Sequence, residues 1–171
     1  MAAKKTLPGE LSVISIKKIL YPTDFSEYSS VALPYAVDFA HHYNAELHCL
    51  HAVEWGHEFI PTGDNIAPMI TPPVLSVEEM QKTAQKRLEA FLRDKAPQIA
   101  GSVIKKVVLG KPFVEIIGYC RQENIDLIVL GTHGHSALAS MLLGSVAEKV
   151  VRKAPCAVLT VRHPEHKFVA P

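Results

Sequence analysis

Ile125-Asp126-Leu127-Ile128-Val129-Leu130 runs straight into Gly131-Thr132-His133-Gly134, and nine residues later Gly144-Ser145 opens a helical pattern from Val146 to Ala154. The first piece reads as a buried strand, the second as a glycine-punctuated loop, the third as a helix N-terminus. Together these parts can hold a phosphate. Glycine lets backbone N–H groups come close to an anion, and the first turn of a helix leaves four donors without intrahelical partners. Taken alone, the same residues would also make a tight turn and a helix cap. The rest of the chain decides between these readings.

Working outward, Ile16 to Tyr21 reads as a first strand, turned by Pro22-Thr23-Asp24-Phe25-Ser26, with Asp24 or Ser26 placed to cap a helix. Ala32, Ala36, Phe39, Ala40 and Tyr43 recur at helical spacing over Glu27 to Tyr43, with Pro34 marking a kink or a late helix start. Glu46 to Glu54 is a second strand. Residues 55–75 are rich in proline and glycine and read as a long irregular loop, a lid or a contact surface. Ser76-Val77-Glu78-Glu79 has the form of a capping box, and Val77, Met80, Ala84, Leu88 and Phe91 trace an apolar helix face behind it. Gly101 to Leu109 is a third strand. Pro112 then starts a helix with Phe113, Ile116, Ile117 and Cys120 facing inward. The fourth strand is Asp126 to Leu130, and Pro155 to Val161 is the fifth.

Strands alternating with helices predict one α/β domain: an open five-stranded parallel sheet with helices on both faces. It spans 16–162, between a flexible leader (1–15) and a loose C-terminal tail (163–171). Such sheets bind ligands beyond the carboxyl ends of their strands, where strand order reverses. Pro22-Thr23-Asp24 and Gly131 to Gly134 both lie at carboxyl ends. If strands one and four are neighbours, the two loops flank one crevice.

Composition narrows the function classes. With 171 residues and a formal net charge of +1, the chain has no basic excess that would argue for direct nucleic-acid binding. No segment approaches the roughly 18 apolar residues needed to insert into a membrane, and the N-terminus lacks an apolar signal core. Cys49, Cys120 and Cys156 are odd in number and far apart in sequence, which suits reduced thiols and a cytoplasmic location. The histidines form no ligand set. His48 and His51 are three apart on a strand and face opposite sides, His41-His42 point in different directions, and His133 and His135 lack a third ligand. No zinc or other metal site is expected.

G-x-G-x-x-G and Walker A patterns are absent. The spacing that is present, Gly131, Gly134, Gly144 and Ser145, resembles the universal stress protein family in its ATP-binding branch. The likeness extends to Ile19-Leu20-Tyr21-Pro22-Thr23-Asp24-Phe25-Ser26, Leu50-His51-Ala52-Val53 and Ala154-Pro155-Cys156-Ala157-Val158-Leu159. It implies a Rossmann-like sheet of the adenine nucleotide alpha hydrolase-like type that binds ATP, or ADP or AMP, with Mg²⁺ as an optional companion. Carried over residue by residue, Pro22, Thr23 and Asp24 hold the adenosine end, with Asp24 on the ribose or base and the Ala52 backbone at the adenine edge. Gly131 and Gly134 pass close to ribose and phosphates. His133, beside a phosphate, is a candidate to stabilise charge, although a loop histidine is more often merely exposed. Gly144, Ser145 and Val146 hold the distal phosphates through N–H groups and the Ser145 hydroxyl. Ala147 stands where many relatives carry a second hydroxyl, and His135 where many carry a basic residue, which thins the phosphate contacts.

No nucleophile–base pair stands out, and Asp24 is the only carboxylate placed near the site, so at most slow ATP hydrolysis is expected. The resemblance also implies a homodimer through the last strand, 156–162. Alternatives are a nucleotide-independent adaptor that uses the 55–75 loop as its partner surface, or a sensor of a cyclic nucleotide or dinucleotide. An ATP-consuming transferase ranks last, because the pyrophosphate loop of such enzymes is missing after the first strand.

Overall fold

The computed structural model describes residues 14–54, 76–99, 101–134 and 143–164. The 55–75 loop, His135 and most of the expected leader and tail lie outside these residues. Among the described residues the elements run β1 (Lys18–Pro22), α1 (Glu27–Ser30), α2 (Leu33–Tyr43), β2 (Glu46–Val53), α3 (Val77–Lys95), β3 (Ile104–Leu109), α4 (Pro112–Glu123), β4 (Leu127–Gly131), α5 (Ser145–Lys153) and β5 (Ala157–Val161).

Every strand pairing is parallel, and the sheet order is β3-β2-β1-β4-β5. The predicted architecture is the observed one. Strands β1 and β4 are neighbours (Ile19 opposite Leu127, Leu20 opposite Ile128), so the order reverses between them. Central strands read as apolar runs because each face of the sheet is covered. Ile19, Tyr21, Leu47, Cys49, Leu127 and Val129 pack with α2 and α3 on one face. Leu20, Leu50, Ile128 and Leu130 pack with α4 and α5 on the other.

The predicted helix over Glu27 to Tyr43 is two. The break falls at Val31 and Ala32, and Pro34 occupies the first turn of α2, where its missing N–H costs no hydrogen bond. Helices α2 and α4 end on left-handed asparagines, Asn44 (φ 51°) and Asn124 (φ 56°), a conformation this side chain tolerates. The capping box of α3 forms as expected, since Ser76 Oγ accepts from Glu79 N–H and the Glu79 carboxylate accepts from Ser76 N–H. The inward face of α3 keeps the expected Ala84 and Leu88, with Phe91 packed beside them, and adds Leu92; Val77, in the first turn, is 39% exposed. Asp126, expected inside strand four, precedes it and accepts the main-chain N–H groups of Lys17 (2.7 Å) and Lys18 (2.9 Å), tying the starts of β1 and β4 together.

Candidate functional site

Strand β1 stops at Pro22, which cannot donate to a ladder, but the chain does not leave the sheet at once: Thr23 N–H still donates to Leu50 O at 2.9 Å. The turn after it is tied by its own side chains. Thr23 Oγ1 accepts from Phe25 N–H (3.0 Å) and shares a hydrogen bond with Ser29 Oγ (3.1 Å). Ser26, not Asp24, caps α1 by accepting from Ser29 N–H. That leaves Asp24 for the crevice, where its Oδ1 accepts from Ser26 N–H (3.0 Å) and Ser26 Oγ–H (2.6 Å).

Phe25 holds φ at 65°, a left-handed conformation that costs a non-glycine residue roughly 1–2 kcal/mol. Its ring is fixed by neighbours. His51 lies at 4.1 Å and Phe91 at 5.5 Å between centroids, and the Arg87 guanidinium sits 4.7 Å from the ring centre. His51 Nδ1 is 2.8 Å from Thr23 O; a carbonyl can only accept, so this nitrogen carries the proton. The spacing of His51 and His48 did predict opposite faces, but nothing in the sequence showed that His51 would grip the first loop.

Across the crevice, β4 delivers Gly131, Thr132, His133 and Gly134. Thr132 N–H donates to Val161 O (2.9 Å), and Thr132 O accepts from Gly144 N–H (2.7 Å), which closes the base of the glycine loop onto the start of α5. His133, expected to be exposed, is 5% exposed and hydrogen-bonds Thr132 Oγ1 through Nδ1 at 3.0 Å. None of these glycines needs a positive φ; among the described residues Gly110 alone among glycines has one. They are required by close approach. A Cβ at Gly131 would strike the Tyr28 carbonyl, one at Gly134 the Asp24 carboxylate, and one at Gly144 would sit 3.1 Å from Thr132 O. Gly131 thus seats β4 against α1, while Gly134 makes room for Asp24.

The crevice between these loops has a volume of about 230 Å³. Pro22, Thr23 and Asp24 form one rim and Gly131, His133 and Gly134 the other; Ala52 reaches it from β2, and Gly144, Ser145 and Val146 from the start of α5. All the sequence-predicted positions converge here. Unforeseen from sequence were the apolar floor of Leu50, Ile116 and Leu130, together with Pro112, Ser29 and Thr132, while Ala147 lines the crevice where the resemblance put it. Leu50, Ile116 and Leu130 look like ordinary core positions in sequence, and only the strand order reveals that they also face a cavity.

The lining combines apolar side chains (Leu50, Ile116, Leu130) with polar and glycine positions. Among the described lining residues there is one carboxylate, Asp24, one imidazole, His133, and no lysine or arginine. Positive potential comes from the N-terminus of α5, where no side-chain cap is present among the described residues. Behind the site, burial pushes the Tyr21 hydroxyl well above its ordinary range, so it stays protonated and donates to Ser29 O at 3.2 Å. Among the described residues no group of three or more His, Cys, Asp or Glu is arranged to hold a metal ion.

An open parallel sheet with a crevice at its switch point defines a doubly wound α/β domain. Comparison places it more narrowly: the chain belongs to the universal stress protein family, whose sequence model matches residues 15–162. A universal stress protein of Methanocaldococcus jannaschii is 33% identical over 158 residues, covering 87% of this chain and 96% of that protein. The structure of universal stress protein UspA from Lactobacillus plantarum superposes with a TM-score of 0.69 at 29% identity, over 88% of this chain and 100% of that one. A universal stress protein in complex with cAMP matches with a TM-score of 0.58 at 25% identity, over 87% of this chain and 98% of that chain.

Proposed function

We propose that this protein binds an adenine nucleotide, ATP foremost, in the crevice between β1 and β4, and works as a homodimeric, nucleotide-dependent stress-response module. One observation carries the reading: the Pro22–Asp24 turn, the glycine loop and the α5 N-terminus meet around one cavity whose lining also includes Leu50, Ile116 and Leu130. The apolar floor suits a base, with the Ala52 backbone at its edge and Asp24 at the ribose. Gly134 provides a cradle that any Cβ would fill. Because Gly144 N–H already serves Thr132 O, the phosphate donors are Ser145 N–H, Val146 N–H and the Ser145 hydroxyl.

A helix terminus contributes roughly 0.3–2 kcal/mol and each hydrogen bond to a charged group about 1.5–3 kcal/mol. A few such contacts reach the ~8 kcal/mol of micromolar binding after the costs of association. The described lining offers Mg²⁺ a single carboxylate, so a Mg²⁺ accompanying the nucleotide is held chiefly by its phosphates. The same donor set supports at most slow hydrolysis.

The experiment is chemical. Protein purified without added nucleotide is denatured, and the released small molecules are identified by mass spectrometry. Near-stoichiometric ATP or ADP supports the reading. Release of cAMP moves it to second-messenger sensing, which the relative in complex with cAMP favours. An empty protein that also fails to bind added ATP overturns it in favour of a nucleotide-independent adaptor. The dimer reading rests on β5, which among the described residues is an edge strand paired with β4 alone. A monomer at micromolar concentration in sedimentation analysis contradicts it.

A further inference from the structure

Two cysteines that lie 36 residues apart in sequence meet in the fold: Cys120 Sγ, on the inner face of α4, is 3.2 Å from Cys156 Sγ, just before β5. In sequence all three cysteines look separate, and for these two the structure corrects that expectation. Cys120 is 1% exposed, whereas Cys156 is partly exposed. Both belong to the apolar cluster on the α4 and α5 side of the sheet, while the third cysteine, Cys49, is buried on the opposite side. A disulfide has an S–S length of about 2.05 Å, so closing this pair takes a shift of roughly 1 Å, within reach of side-chain rotation.

We propose that Cys120 and Cys156 form a redox site, at which a peroxide converts the two thiols into an intramolecular disulfide that ties α4 to the start of the edge strand. Cys156 reacts first, since it is the accessible sulfur. Its thiolate attacks one peroxide oxygen, the O–O bond breaks, and the departing hydroxide takes up a proton as water; Cys156 becomes a sulfenic acid. The sulfur of Cys120 then attacks the Cys156 sulfur, the S–O bond breaks, and the released oxygen leaves as a second water with the Cys120 proton. Two thiols and one hydrogen peroxide give one disulfide and two waters, and the two electrons lost by sulfur reduce the peroxide. Burial pushes the Cys120 thiol up to about 12 and raises Cys156 as well, so the pair reacts slowly. The hydrogen bond that Cys156 shares with Cys120 opposes the rise that burial imposes on the attacking sulfur. Helix α4 also brings Pro112 and Ile116 to the crevice, so the oxidised form fixes one wall of the site.

The test uses the full-length protein. It is exposed to hydrogen peroxide, quenched, and unfolded in the presence of a thiol-alkylating reagent before peptide mapping. The expected result is alkylation at Cys49 alone and a peptide in which Cys120 is joined to Cys156, both reversed by dithiothreitol. Cys49→Ser retains the cross-link, and Cys156→Ser abolishes it and leaves Cys120 open to alkylation. Three alkylated cysteines after oxidation, a sulfinic acid at Cys156 without a cross-link, or a disulfide between two chains would each overturn the proposal.

Discussion

A methyl group added at Gly131 would meet the Tyr28 carbonyl oxygen, with the Ser29 Cα 3.0 Å away; both are main-chain atoms of a helix held in place by its own cap. Neither can step aside, so Gly131→Ala is expected to destabilise the fold by about 2 kcal/mol, read from its urea midpoint. At Gly134 the obstacle is the Asp24 carboxylate, the end of a side chain. Gly134→Ala should therefore lose less than about 1 kcal/mol of stability while displacing Asp24, weakening adenine-nucleotide binding about tenfold in calorimetry. Equal losses of stability in both variants would show that Gly134 also serves packing. His51 gives a second contrast. His51→Leu removes the donor that holds Thr23 O and should weaken nucleotide binding severalfold, and His51→Asn, which keeps an N–H, should recover most of it. If wild-type protein binds nucleotide and His51→Leu binds it equally well, the Thr23 contact does not position the loop.

At the scale of elements, β2 and α4 are joined by one buried polar contact: His48 Nδ1 lies 2.8 Å from the Tyr119 hydroxyl. His48 Nε2 is buried without a hydrogen-bond partner among the described residues, and the Glu46 carboxylate is 3.6 Å away. Burial, helped by the nearby Lys18 charge and opposed by Glu46 and Glu123, holds its pKa below the ordinary 6.5. The unfolded chain then takes up a proton that the native state refuses, so this contribution to stability is complete above 6.5 and drains away as pH falls toward the lowered native value. The urea midpoint should fall with pH below 6.5 in the wild type, and His48→Gln, which can still bond Tyr119 but does not titrate, should flatten that slope. The elements themselves were legible because buried strands show as apolar runs and α3 carries its start signal in Ser76 and Glu79. The Val31–Ala32 break was half legible, through Pro34. What pairs across the sheet was not. Leu50, Ile116 and Leu130 become a cavity floor, and Cys120 a neighbour of Cys156, only through contacts between distant segments that no local pattern encodes.

For the whole molecule, a ligand that binds the native state alone stabilises it by mass action, about 2.7 kcal/mol at a hundred times its dissociation constant. In a chain of 171 residues each kcal/mol shifts the melting midpoint by roughly 2–4 °C, so saturating ATP should raise it by about 5–10 °C. Dimerisation raises the midpoint too, but by a route that depends on protein concentration, whereas excess nucleotide acts at any concentration. Melting at several protein concentrations, with and without ATP, therefore separates the crevice from the β5 edge. A concentration-dependent midpoint without ATP is expected from a dimer that unfolds to separate chains. An ATP shift of constant size superimposed on it is expected from a site complete within one protomer, since the Pro22–Asp24 turn, the glycine loop and the α5 start all come from the same chain. Gly134→Ala should keep the concentration dependence and lose about half of the shift, since a tenfold weaker site retains about 1.4 kcal/mol of the stabilisation at the same ATP concentration. A shift that appears with cAMP but not with ATP would keep the crevice and change its ligand, and a shift with neither would leave the sheet edge as the working surface of this chain.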